Sequence, residues 1–95
     1  SKGAVVSATK SLAKELGPLG INVNCVSPGQ IPREAPDDPE AFARQHSFLN
    51  RIGTADDIAN LVRYLVLPEA SFIIGQNYVV DGGRTLAMQG SDARA

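Results

Sequence analysis

The sequence predicts an α/β fold in which two parallel strands are joined through a helix. Helix-period apolar stripes alternate with short β-branched runs in the order helix, strand, long loop, helix, strand. Both strand-like runs, INVNCVS and QNYVVD, end at glycine-bearing turns, Pro28-Gly29 and Gly82-Gly83. A helix lying between two strands of one sheet returns the second strand parallel to the first.

The opening segment, SKGAVVSATKSLAKELGPLG, reads as a helix already under way at residue 1. Val5, Ala8, Leu12 and Leu16 recur at spacings of three and four, so they form one apolar stripe with Lys10, Lys14 and Glu15 off it. Gly17 offers a left-handed cap, and Pro18 cannot continue the helix. In residues 21–27, Ile21, Val23 and Cys25 alternate with Asn22 and Asn24, the pattern of a strand. From residue 28 to 53 four prolines and several acidic residues punctuate a long crossover, within which residues 40–50 suit a short helix. A loop of that length is more often functional than idle, and few regular hydrogen bonds are expected in it. Thr54 suits an N-cap, with Asp56 and Asp57 at the positive end of the helix dipole. Ile58, Leu61, Val62, Leu65 and Val66 then form a full stripe, expected to be buried against the second strand, and Pro68 ends it. The small, polar residues 87–95 read as a flexible tail.

The chain's 95 residues suffice for one domain. With 43% hydrophobic and 20% charged residues, the composition is that of a folded soluble chain rather than a disordered one. Nine basic against ten acidic residues exclude the basic footprint of a nucleic-acid binder. No apolar run approaches the ~20 residues of a membrane span, so no membrane partner is expected. The lone Cys25 can form neither an internal disulfide nor a zinc site, so the cytoplasm is the expected compartment and no metal is expected. Two strands and two or three helices cannot cover both faces of a parallel sheet. With no initiator Met ahead of Ser1, the expectation is a piece of a longer chain or of an obligate assembly.

The candidate chemistry is sparse. Lys2 stands in the first turn of a helix, where it could hydrogen-bond a ribose and favour ionisation of a neighbouring acid. Pro28-Gly29 closes a strand, and open α/β sheets bind ligands at the carboxyl ends of their strands, where glycine admits close backbone approach. His46, the only histidine, has no compact metal-ligand spacing to Asp38 or Glu40 and reads as a surface-loop residue. Cys25 reads as a small buried hydrophobe, and Asp81-Gly82-Gly83 as a turn.

In combination these segments are more specific. Ser1-Lys2 at a helix start, Asn22-Val23 leading to Val26-Ser27-Pro28-Gly29 at a strand end, Ile73-Ile74-Gly75-Gln76, and Val80-Asp81-Gly82-Gly83 together closely resemble the carboxyl-terminal part of the short-chain dehydrogenase/reductase family, over residues 1 to about 83. The resemblance implies the last two parallel strands and flanking helices of a doubly wound Rossmann-type sheet. It implies one such domain part over 1–86, with a substrate lid at 28–53 and a tail at 87–95.

The implied function is NAD(P)-dependent oxidoreduction: reversible hydride transfer between NAD or NADP and a small-molecule carbonyl or alcohol substrate, in a homodimer or homotetramer. Lys2 falls on the family's catalytic lysine, which contacts the nicotinamide ribose and supports an active-site tyrosine four residues ahead. Pro28 and Gly29 fall on the wall of the nicotinamide pocket, and Ile31 on the residue whose backbone binds the carboxamide. Arg33 stands where the family often has a cofactor-contacting threonine. The tyrosine, the catalytic serine and the glycine-rich loop would lie ahead of residue 1. A fragment inactive by itself is therefore expected, or alternatively a non-catalytic remnant acting as an interaction or oligomerisation piece.

Overall fold

The computed structural model describes residues 2–87. Helix α1 spans Lys2–Leu16, strand β1 Cys25–Pro28, helix α2 Pro39–His46, helix α3 Ala55–Leu65 and strand β2 Asn77–Val80. The two strands pair in parallel, from Cys25 opposite Asn77 to Pro28 opposite Val80, as the order of elements predicts. Short 3₁₀ turns follow α1 at Gly17–Leu19, α3 at Pro68–Ala70 and β2 at Arg84–Ala87. Apart from residue 87, the expected tail lies outside the described residues.

The end of α1 differs in detail from the sequence reading. Pro18, whose fixed φ suits the first turn of a helix, carries the chain through one 3₁₀ turn. The left-handed residue is Gly20 at φ 80°, whose N–H donates to the Gly17 carbonyl at 2.9 Å. Strand β1 also begins later than the alternation suggests. Residues 21–24 form no ladder because the two asparagines bind the loop before β2 instead. Asn22 Nδ2 donates to the carbonyls of Ser71 (2.8 Å) and Ile73 (3.2 Å). Asn24 uses both ends of its amide: Nδ2 donates to the Ile73 carbonyl at 3.0 Å and Oδ1 accepts from the Gln76 N–H at 3.1 Å. The Gly75 N–H reaches the Val23 carbonyl at 2.7 Å and the Cys25 N–H reaches Gln76 at 2.8 Å. Asn24 thereby sets the register in which β2 enters the sheet.

Helix α3 begins as the sequence predicts, at Thr54, with a different detail of the cap. The Asp57 carboxylate reaches back to accept the Thr54 N–H at 2.8 Å, one arm of a capping box, and the Thr54 hydroxyl lies 3.3 Å from the same oxygen. Arg51 completes the arrangement with two parallel hydrogen bonds to the Asp57 oxygens, both 2.8 Å. The Arg51 hydrogen bond, with help from the Thr54 N–H, holds the Asp57 carboxyl well below the usual carboxylate range, and Asp57 in turn raises Arg51. Solvent screens this pair, so its main effect is positional: it ties the end of the crossover to the first turn of α3.

The apolar faces are where expectation and structure part. The α1 stripe does not face inward: Val5 is 54% exposed and Leu12 46%, while Thr9 and Ala13 are the buried positions. The α3 stripe is only half-covered. Ile58, Leu61 and Leu65 are intermediate, whereas Val62 and Val66 are exposed. The apolar residues buried among the described ones are Ala13, Ala43 and Ala70, and no large side chain is fully buried. The α3 stripe falls on a half-covered face at Ile58, Leu61 and Leu65, whereas the positions buried on α1 lie off its stripe, and both apolar faces stay largely uncovered among the described residues. No helix among the described residues is long and apolar enough to cross a membrane.

These contacts make two predictions for the intact protein. Asn24→Ala removes two hydrogen bonds of a half-buried side chain, leaving the Gln76 N–H without that partner and the Ile73 carbonyl with Asn22 alone, and lowers unfolding free energy by ~1–3 kcal/mol in urea titration. Asn22→Ala, exposed to water, costs less. Equal effects would contradict the register role of Asn24. For the Arg51–Asp57 pair, the folded pKa of Asp57 lies below its unfolded value. Its contribution is complete well above the ordinary carboxylate pKa of about 3.9 and is lost as pH falls below it. Asp57→Asn therefore unfolds at lower urea than the parent at pH 7, and the gap narrows steadily below about pH 4. A gap independent of pH would contradict the pairing.

Candidate functional site

The parallel strands end side by side, and a cleft of about 160 Å³ opens at their carboxyl ends. Gly29 and Ile31 form the wall that continues β1, while Val80, Asp81 and Gly82 continue β2. Helix α2 lies across the opening with Phe42, Ala43 and His46, and Arg51, Ile52 and Asp57 close the far side.

Close backbone approach creates this geometry. The Gly29 N–H donates to the Val80 carbonyl at 3.0 Å, extending the ladder one residue past Pro28. A Cβ on Gly29 would fall 2.6 Å from the Asp81 Cβ and 2.8 Å from its Cα, so no side chain fits. Asp81 then turns the chain: its carboxylate accepts the N–H groups of Gly83 and Thr85, each at 2.9 Å. Gly82, at φ 63°, presses on Ser47, where a Cβ would meet the Ser47 Oγ at 2.5 Å. The Gly82 carbonyl accepts the Phe48 N–H at 2.8 Å. The end of the crossover thus docks on the glycine turn after β2, and Asp81 is more than a turn residue because its carboxylate organises that turn.

The crossover is better anchored than its prolines suggest. Asp38 caps α2 by accepting the Ala41 N–H at 3.1 Å, and Pro39 occupies the first helical position. His46 corrects the sequence reading. It ends α2, half-buried, with its ring 4.4 Å from that of Phe42 and tilted by 50°, and it lines the cleft. Its Nδ1 is buried with no hydrogen-bond partner among the described residues. Its spacing to the acidic residues says nothing about such a position; the apolar Phe42 one helical turn earlier was the available signal.

Of the residues singled out from the sequence, Gly29 and Ile31 share the cleft. The N–H and C=O of Ile31 carry no hydrogen bond among the described residues. Pro28 ends β1, exposed, and Lys2 stands exposed in the first turn of α1; neither lines the cleft. Arg33 is exposed on a second, shallower groove beside Glu34 and Pro36. Cys25 is half-buried. Among the described residues no cluster of His, Cys, Asp or Glu could hold a metal ion. The roles missed from the sequence are those of Asn24 in the register, of Arg51 as the partner of Asp57, and of His46 in the cleft, which depend on the fold around them.

A family model described as enoyl-(acyl carrier protein) reductase matches residues 1–85. The chain is 40% identical over 90 residues to the (2S)-[(R)-hydroxy(phenyl)methyl]succinyl-CoA dehydrogenase subunit BbsD of Thauera aromatica, covering 90% of this chain and 36% of that protein. Among solved structures, it superposes on acetoin dehydrogenase from Enterobacter cloacae with a TM-score of 0.79 at 38% identity, covering 94% of this chain and 36% of that one. A short-chain dehydrogenase from Leptospira borgpetersenii with bound NAD+ gives a TM-score of 0.76 at 34% identity, covering 88% and 33%. The chain thus spans about a third of the length of the relatives it matches. The match over nearly the whole chain shows that it belongs to the short-chain dehydrogenase/reductase family.

Proposed function

We propose that this chain forms the nicotinamide-facing, carboxyl-terminal part of an NAD- or NADP-dependent oxidoreductase acting on a small carbonyl or alcohol substrate. The observation that carries this reading is the unused main chain of Ile31 on a cleft at the carboxyl ends of two parallel strands. A free N–H and C=O on one residue match the acceptor and donor of a carboxamide. Gly29 brings the main chain close to that position without a side chain in the way, and Pro28 flanks it. The bound dinucleotide would supply or accept the hydride.

The Lys2 side chain makes no hydrogen bond or ion pair among the described residues, so its ammonium is available to a ribose hydroxyl and to a neighbouring acid whose ionised form it would stabilise. Arg33, exposed at the groove edge, is available to a phosphate of the same ligand. The segment over 28–53 serves as the substrate lid. The intact protein is placed in the cytoplasm as a homodimer or homotetramer, the exposed side chains of Val62, Val66 and Phe72 being available to a second subunit.

Lys2→Met in the intact protein lowers kcat for NADH- or NADPH-linked carbonyl reduction about a hundredfold or more, the usual scale of lost acid–base support. Turnover within a few-fold of the parent would contradict the role of Lys2. The absence of any nicotinamide-linked turnover in the parent would contradict the reading itself.

A further inference from the structure

Charge around the cleft is balanced within the protein. Arg51 and Asp57 hold each other, and both Asp81 oxygens accept backbone N–H groups. The Ser47 hydroxyl accepts the Leu49 N–H at 2.8 Å and donates to the Leu49 carbonyl at 3.0 Å. Gln30, the one side-chain amide among the described residues lining the cleft, differs from these. It is exposed, and its side chain makes no hydrogen bond among the described residues. Its neighbours in the chain fix where it starts. The Gly29 N–H is bonded to the Val80 carbonyl at 3.0 Å, and Ile31 lines the same cleft with its main-chain N–H and C=O unused. The facing walls, Phe42, Ala43, Ile52 and Val80, are apolar. At about 160 Å³ the space matches a cavity of roughly 150 Å³ that accommodates one benzene ring.

We infer that Gln30 is a specificity-determining residue, whose side-chain amide hydrogen-bonds a hydroxyl substituent on the substrate, so that the cleft selects a hydroxyketone over the plain ketone. An amide donates through Nε2 and accepts through Oε1, so it serves a hydroxyl in either sense. A charged substituent is disfavoured. It would lose water against apolar walls, and Arg51 and Asp57 are already paired with each other. The assignment of the ligand as substrate rests on the oxidoreductase reading; the contact with Gln30 does not.

The test uses the intact protein with cyclohexanone, which carries no hydroxyl, and with 2- and 4-hydroxycyclohexanone. NADH- or NADPH-linked reduction is followed as kcat/KM, and calorimetric titration gives the affinities. A hydroxyl beside the carbonyl alters its intrinsic reactivity. The readout is therefore the preference for hydroxyketone over cyclohexanone in the parent divided by that in Gln30→Met, which keeps the length of the side chain without its amide. At least one hydroxyketone gives a quotient of about three- to tenfold, the scale of one hydrogen bond. A quotient of one for both, as expected if Gln30 only meets water, would overturn the proposal. So would a preference for 4-oxocyclohexanecarboxylate that survives in Gln30→Met, because recognition would then lie with an arginine. Reduction without a Gln30-dependent preference overturns this proposal alone. A Gln30-dependent preference in binding without reduction supports it and counts against the oxidoreductase reading alone. Neither binding nor reduction of any of these ketones counts against both.

Discussion

The structure turns on the contact between Gly29 and Asp81. The two parallel strands end in a place where backbone meets backbone with no room for a Cβ, 2.6 Å from the Asp81 Cβ. Because Gly29 lies that close, its N–H can extend the ladder to the Val80 carbonyl, and Asp81 is held where its carboxylate can gather the Gly83 and Thr85 N–H groups. That turn presents the Gly82 carbonyl to Phe48. One close approach therefore fixes the strand ends, the glycine turn and the point at which the crossover docks. The cleft is the space these three leave between them.

Around this point the crossover is held at separated places by different interactions. Phe48 docks through its backbone, Arg51 through its two hydrogen bonds to Asp57, and α2 begins on its Asp38 cap. Ahead of these anchors the segment from Gln30 to Pro36 lacks regular structure. The division suits a lid: one end is tied to the strand ends and α3, while the stretch beside Arg33 and Glu34 has few ties of its own. The same division puts Ile31, with its free main-chain groups, at the boundary between anchored and unanchored chain.

What could be read from the sequence depended on how local its cause was. The start of α3 was legible because Thr54, Asp56 and Asp57 act within one turn, and parallel pairing followed from a helix lying between two strands. The burial of the α1 stripe was not legible. Its periodicity identifies an apolar face, but whether Val5 and Leu12 are covered depends on elements beyond this chain's described residues. The late start of β1 reflects Asn24 bonding a loop some fifty residues away, a choice that alternation cannot reveal. His46 was misread for a similar reason, since its position depends on Phe42 and on α2 lying over the strand ends. The glycines at 29 and 82 were visible as turn residues, yet the close approaches that require them depend on tertiary geometry.

The central claim is that the Gly29–Asp81 contact positions the end of the crossover through the glycine turn. Amide hydrogen exchange at Phe48, compared between the intact parent protein and Gly29→Ala, tests it most directly. The account predicts that the added Cβ displaces Asp81, weakens the bond from Phe48 to the Gly82 carbonyl, and lowers Phe48 protection about tenfold or more, the effect of losing about 1.4 kcal/mol locally. The amides of α3 beyond its first turn should keep theirs. Unchanged protection at Phe48 in a folded Gly29→Ala protein would contradict it.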